Sequence, residues 1–500
     1  MATNDSNATF LSLKDVDIYR QLSLVLSNVN WEIKNNEHWI ITGANGTGKT
    51  SLAYTIAGKS LARRGKLQYH FLEKEAAEKN VSIYDVRRNA IAIISFEDSH
   101  RAFNNKERYY QQRFNAFDND GITVQEYLEE LGYDSTSAKQ RNIIEKCGVS
   151  KWLHLSRIKL SSGQSRKLLI STALLKQPRL LIIDNPYIGL DDKNRQLFNE
   201  LIDELTISHN IKIILAGHFH QLPKCITHEL YLSENSVSIK KISPSYINNS
   251  VSKPEYSEAI SEISAYFGDT THHPSFKNAL LLDDLNVEYK DANILTAINW
   301  KVKLGNKWAL LGPNGSGKST MLGMIAADHP KVYANNVYLF DKKRGVQDSI
   351  WDIKKNIGFI SSEMHTYFNY DINKTVSQII LDGLFTSIYS RPPITQKQQG
   401  ILNALLTYFE CQHIKECKFQ YLSTGEQRLT LILRALVKNP PLLLFDEPFQ
   451  GLDDQTISRF KYLLDEVLTD KHALIFITHY QHEVPSCVDE YFYLKGGERV

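Results

Sequence analysis

The sequence predicts an α/β architecture in two tandem halves, each with a mostly parallel sheet core and a helical subdomain. Three observations carry that expectation: a long internal repeat, short β-branched runs that alternate with helix-length segments, and two glycine-rich loops, each set between an apolar strand and a helix.

The repeat comes first because it organises everything else. Trp31, Trp39 and Gly43 match Trp300, Trp308 and Gly312, and SIYDVRRN from Ser82 matches SIWDIKKN from Ser349. Further along, LSSGQ from Leu160 matches LSTGE from Leu422, LLIIDNP from Leu180 matches LLLFDEP from Leu442, and His218 matches His479. The order is the same in both halves and the spacing shortens only slightly. Between them runs a stretch rich in turn-forming residues, SPSYINNSVSKP and GDTTHHPS. The expected organisation is a first domain over residues 1–232, a polar linker over 233–275 and a second domain over 276–500. More polar, helix-patterned insertions at about Asp98 to Lys159 and Thr366 to Tyr421 are expected to form a helical lobe in each half.

Composition bounds the function classes. A hydrophobic content of 42% over 500 residues is enough to build a core in each half. The 58 basic side chains nearly balance 56 acidic ones, which argues against a protein that coats nucleic acid by charge alone. Cys147, Cys225, Cys411, Cys417 and Cys487 form no CxxC pair, so neither a disulfide framework nor a zinc knuckle is expected, and a reducing cytoplasm fits best. MATNDSNATF shows no targeting pattern, and the longest apolar runs are strand-sized, so the expectation is a soluble chain whose membrane role, if any, needs a separate partner.

The glycine-rich loops are P-loops. Gly43-Ala44-Asn45-Gly46-Thr47-Gly48-Lys49-Thr50 follows HWIIT, and Gly312-Pro313-Asn314-Gly315-Ser316-Gly317-Lys318-Ser319 follows KWALL. Glycines let consecutive N–H groups turn toward phosphate oxygens, and the next helix, beginning with Ser51 and Thr320 beyond the loop, adds its positive end. Lys49 and Lys318 would reach the β- and γ-phosphates, and the hydroxyls of Thr50 and Ser319 suit magnesium. Two apolar strands end in Asp184 and Asp446, each suited to hold that magnesium through water, and two more end near His218 and His479, each placed to contact a γ-phosphate.

With that order of motifs the chain resembles the ATP-binding cassette (ABC) family: P-loop, signature, acidic strand, D-loop and switch histidine all occur twice. LSSGQ and LSTGE resemble the signature, and Gly189-Leu190-Asp191 and Gly451-Leu452-Asp453 resemble D-loops. The resemblance implies ATP hydrolysis with ATP and Mg2+ as cofactors, in two P-loop cassettes that pair head to tail within the chain. One site would then join Lys49, Thr50, Asp184 and His218 with Ser423, Thr424 and Gly425. The other would join Lys318, Ser319, Asp446 and His479 with Ser161, Ser162 and Gly163.

Departures from the family pattern separate the two sites. The family's water-polarising glutamate is Glu447 in the second half and Asn185 in the first, so one active and one degenerate site are expected. The alternative, that an amide is tolerated because hydrolysis rests on phosphate electrostatics, stays open. The Q-loop glutamine is absent from both halves, where Phe96-Glu97 and Ser362-Glu363 stand. Tyr289 matches the family's adenine-stacking aromatic; in the first half Arg20 occupies that place with Tyr19 one residue away, leaving a one-residue shift or arginine stacking.

SIWDIKKNIGFISSEMH, YANNVYLFDKKRG and YLSTGEQRLTLILRALVKNPPLLLFDEPFQGLD further resemble the ModF or photorepair-type group of bacterial ABC ATPases. That resemblance does not fix a substrate; the partner expected is a transport-related one, a separate membrane permease docked by the helical lobes. The rival classes are a non-transport regulatory ATPase, a ribosome-associated ATPase and a DNA-repair ATPase. The last two would call, respectively, for a long charged helical linker and for zinc modules or coiled-coil heptads, whereas the segment from Ser233 to Ser275 is polar and turn-rich and neither cysteine spacing nor heptads support the latter.

Overall fold

The computed structural model describes residues 7–20, 23–95, 122–157, 160, 162–188, 190, 192–209, 211–219, 221–233, 236–242, 257–289, 292–313, 315–326, 329–345, 350–361, 373–385 and 393–500. The chain divides into two compact units, Met1–Asn249 and Ser250–Val500.

In the first unit a six-stranded sheet runs in the order Val237–Lys241, His228–Leu232, Trp39–Gly43, Lys212–Ala216, Leu180–Asp184, Ile91–Ser95. All neighbours are parallel except the edge strand Val237–Lys241. Trp39–Gly43, Leu180–Asp184 and Lys212–Ala216 are buried along their whole length, which is why they read as unbroken apolar runs with no polar alternation. One face of this sheet meets an antiparallel sheet built on the long hairpin Thr9–Arg20 and Ser23–Lys34, around Leu13, Trp31 and Trp39. The other face meets Val124, Leu128 and Ile144 of the helices Val124–Glu130 and Ala138–Lys146, which lie in the insertion expected to be helical.

The second unit repeats the plan. Its sheet order is Ile357–Ile360, Leu442–Asp446, Ala473–Ile477, Lys307–Leu311, Glu490–Lys495, Glu498–Arg499, beside an antiparallel sheet led by Asn278–Tyr289 and Ala292–Lys303. Its helical insertion holds Val376–Leu381 and Gln396–Tyr408, each opened by a threonine capping box. In both units the P-loop strand, the acidic strand and the strand before the histidine are parallel neighbours. Their C-terminal ends, where the motifs sit, therefore lie along one sheet edge.

The segment expected as a linker contains ordered structure. Val237–Lys241 pairs with His228–Leu232 in the first unit. Ser257–Gly268 is a helix of the second unit, with Ile263 and Phe267 fully buried and Tyr266 Oη donating to Val437 O at 2.8 Å. Its apolar positions, Ile260, Ile263 and Phe267, have helical spacing, but the turn signals on either side hide it in the sequence. Asn439 closes the junction, donating its amide to Tyr266 O and Asp269 O while His472 contacts its Oδ1 at 2.8 Å.

Candidate nucleotide site

Both P-loops bend through left-handed glycines into the helices Lys49–Ile56 and Lys318–Ile325. Gly48 and Gly317 cap these helices at φ 94° and 103°, and a Cβ on either would come within 2.7 Å of Val25 or Leu295. Only glycine fits there. Gly46 and Gly315, at φ 79° and 80°, complete the same turn in each loop. Lys49 Nζ spans its loop to Gly43 O and Ala44 O at 2.8 and 2.7 Å, and Lys318 Nζ does the same to Gly312 O and Pro313 O at 2.7 and 2.9 Å. Each loop is thus closed by an ammonium group beside a helix N-terminus, an arrangement that suits a polyphosphate. Ser51 and Thr320 lie in the first turn of those helices, while Asn314 lies outside the described residues.

Asp184 is buried and accepts a hydrogen bond from Thr50 Oγ1 at 2.9 Å. This pair of hard oxygens beside the loop fits Mg2+, which binds through one or two side chains with water and phosphate oxygens. Ser319, which is exposed, and Asp446, which is buried, hold the equivalent sequence positions in the second unit.

The two units differ at the next residue. Asn185 and Glu447 share one unusual backbone, left-handed at φ 51° and 45°, with each N–H donating across to the neighbouring strand at Ala216 O or Ile477 O. A non-glycine residue in that region is strained, and both units hold it there, so the positions are equivalent in space as well as in sequence. Their side chains part company. Glu447 Oε1 lies 2.5 Å from His479 Nε2, its other oxygen accepts from Gln450 Nε2, and His479 Nδ1 reaches Gly312 O at 3.0 Å. A carbonyl only accepts, so Nδ1 is the donor to Gly312 O. Glutamate, histidine and P-loop thereby form one chain of hydrogen bonds. In the first unit His218 Nε2 instead meets Asn45 Oδ1 at 3.4 Å. The Asn185 amide lies against Gly217, where the second unit has Thr478.

Ser423 caps the helix Thr424–Leu436 in a reciprocal box with Glu426, which directs the signature residues Thr424 and Gly425 into an exact first turn of donors. In the first unit the matching helix spans Ser162–Leu175, and Gly163 lies in its first turn; Ser161 is outside the described residues. Tyr289 ends the strand Asn278–Tyr289, and its side chain is not among those described. Tyr19 carries the Arg63 guanidinium over its ring at 4.9 Å. Glu97, Glu363, Gly189 and Asp191 fall outside the described residues, whereas Asp453 caps the helix Asp454–Val467.

Two residues near the site were not singled out by sequence. Gln450 is reached only through the turn after Glu447. Arg428 is buried in the signature helix and donates to the backbone around Glu447. The signal for the latter was present: an arginine stands two residues past the signature in both halves, as Arg166 and Arg428.

Residues 26–188 and 295–450 each match the family described as ABC transporter. An uncharacterized ABC transporter ATP-binding protein of Schizosaccharomyces pombe is 30% identical, covering 95% of this chain and 96% of its own length. The ABC transporter ATP-binding protein ModF of Escherichia coli is 31% identical over 90% of both chains. Among solved structures, a chain in the complex of an archaeal ribosomal stalk protein with an archaeal ribosome recycling factor aligns with 97% of this chain and 89% of its own. Its TM-score is 0.53 at 16% identity, a likeness of fold alone. Two family matches in one chain, each enclosing a P-loop and an acidic strand, place the chain in the ABC transporter family as a tandem-cassette ATPase that hydrolyses ATP to ADP and phosphate.

Proposed function

We propose that the two cassettes pair head to tail around two ATP molecules and hydrolyse ATP mainly at the site served by Glu447. The observation that carries this reading is the 2.5 Å contact of Glu447 with His479, against an asparagine on the same backbone in the other cassette. In the competent site Lys318 and the P-loop N–H groups hold the β- and γ-phosphates, and Ser161, Ser162 and Gly163 close over the γ-phosphate. Glu447 orients the attacking water and takes its proton, while His479 holds the carboxylate in line with the P-loop. Ser319 and Asp446 would hold magnesium, which would neutralise charge on the phosphates when bound.

The other site joins Lys49, Thr50, Asp184 and His218 with Ser423, Thr424 and Gly425. Asn185 can align water but cannot accept its proton, so this site binds ATP and turns it over slowly. Closure is transmitted to a transport-related partner in a cytoplasmic setting. Among the described residues no helix is long and apolar enough to cross a membrane, so the reading places the permease on a separate chain.

Pull-down from cells with the Glu447→Gln chain, held with ATP, tests both parts. Two ATP per chain and a membrane permease are expected. One ATP per chain would remove the paired sites, and ribosomal particles or nucleic acid in place of a permease would replace the transport reading.

A further inference from the structure

Arg428 is the fifth residue of the helix Thr424–Leu436, whose first turn carries the second cassette's signature. Its side chain is only 1% exposed. All of its assigned hydrogen bonds end on main-chain carbonyls: Nε on Pro448 O at 3.0 Å, Nη2 on Asp446 O at 3.1 Å and Glu447 O at 2.7 Å, and Nη1 on Ser361 O at 2.7 Å. Three of those carbonyls are consecutive and bracket Glu447, whose left-handed backbone needs outside support. The fourth closes the strand Ile357–Ile360, next to the acidic strand. Burial lowers the guanidinium pKa to about 10, opposed by the nearby Asp446 and Glu447 charges, so the group stays a cation at neutral pH. A planar fork with five donors can hold several carbonyls at once, which a lysine cannot do.

We propose that Arg428 is a positioning residue for hydrolysis, fixing the main chain that aims Glu447 and making that aim depend on how the signature helix is seated. The proposal rests on the paired-site reading, in which the helix N-terminus at Ser423, Thr424 and Gly425 receives the ATP held by Lys49 and Thr50. Nucleotide in the Asn185 site then sets the readiness of the Glu447 site through one buried side chain. Arg166 repeats the position in the first cassette, with Nη1 donating to Pro186 O, but the residue before that proline is Asn185 and no carboxylate is there to aim.

Steady-state ATP hydrolysis by the full chain, with MgATP titrated, tests the proposal in two cycles. Arg428→Met is expected to lower kcat by about 10²-fold with little change in KM, since a small misplacement of a reacting group costs that much. Arg428→Lys, which keeps the charge and the fold, is expected to fall between. In a Glu447→Gln background Arg428→Met should cost less than about twofold more, because both changes remove one function. A full additional loss there, or a rise in KM matching the fall in rate, makes Arg428 a fold brace and overturns the proposal. For the link to the other site, Lys49→Ala should lower kcat in the natural chain and have little further effect beside Arg428→Met. Equal losses in both backgrounds overturn the link. No loss in the natural chain removes the paired-site reading instead, while the Glu447 cycle still decides whether Arg428 positions that carboxylate.

Discussion

His479 Nε2 lies 2.5 Å from Glu447 Oε1, whereas the matching imidazole, His218, turns to Asn45 at 3.4 Å. The backbone beneath the two acceptor positions is the same, left-handed at Glu447 and at Asn185. What differs is a side chain able to take a proton. Replacing the amide should therefore be enough to wake the first site. Asn185→Glu, placed in a Glu447→Gln chain, is expected to raise residual ATP turnover by about tenfold or more, a fraction of what a general base contributes. An unchanged residual rate would mean that the first site lacks more than its base.

The helix Ser257–Gly268 belongs to the second cassette's core, because Phe267 is fully buried and packs beside His472. Phe267→Ala is expected to destabilise that cassette by about 3–5 kcal/mol, the usual cost of emptying a buried aromatic position. Urea unfolding of the full chain measures it. A loss below about 1 kcal/mol would make the segment a loosely attached linker after all.

Acid should weaken the same region. His472 is fully buried, and burial, with His273, Lys307 and His272 acting in the same direction, lowers its pKa to about 3. In the unfolded chain the imidazole returns to about 6.5. Between those values the unfolded chain binds a proton that the folded chain refuses, so stability falls as pH falls, by about 1.4 kcal/mol per pH unit. Above the unfolded value both forms are neutral and the effect vanishes. His38 in the first cassette, lowered to about 4 mainly by burial and then by Lys212, acts in the same sense. Stability measured from pH 7 to 4 should show this slope, and His472→Gln should flatten it by about one proton's worth. An unaltered slope would mean that His472 is not the group responsible.

How far the sequence could be read follows from where each determinant lies. The P-loops were legible because their glycines and Lys49 or Lys318 act within a few residues of one another. The buried strands Leu180–Asp184 and Leu442–Asp446 were legible because apolar runs of that length mark parallel sheets. The contrast of Asn185 with Glu447 needed only the repeat. By contrast, the Arg428 fork joins a helix to carbonyls at Ser361 and Glu447, a convergence no local pattern encodes. The helix around Phe267 was hidden for another reason: its partners, at Val437 and His472, lie far along the chain, and polar turns flank it. Ser423 shows a third case: the structure makes it a helix cap, a role that the sequence reading, which weighed it as a signature serine, left out.

Single-turnover hydrolysis of MgATP by Glu447→Gln, compared with the natural chain at saturating nucleotide, tests the division between the two sites most directly. A fall of about 10² to 10⁴ in rate, with ATP binding retained, is the predicted result. A rate within about twofold of the natural chain would show that Glu447 is not the principal base, and the division would fall with it.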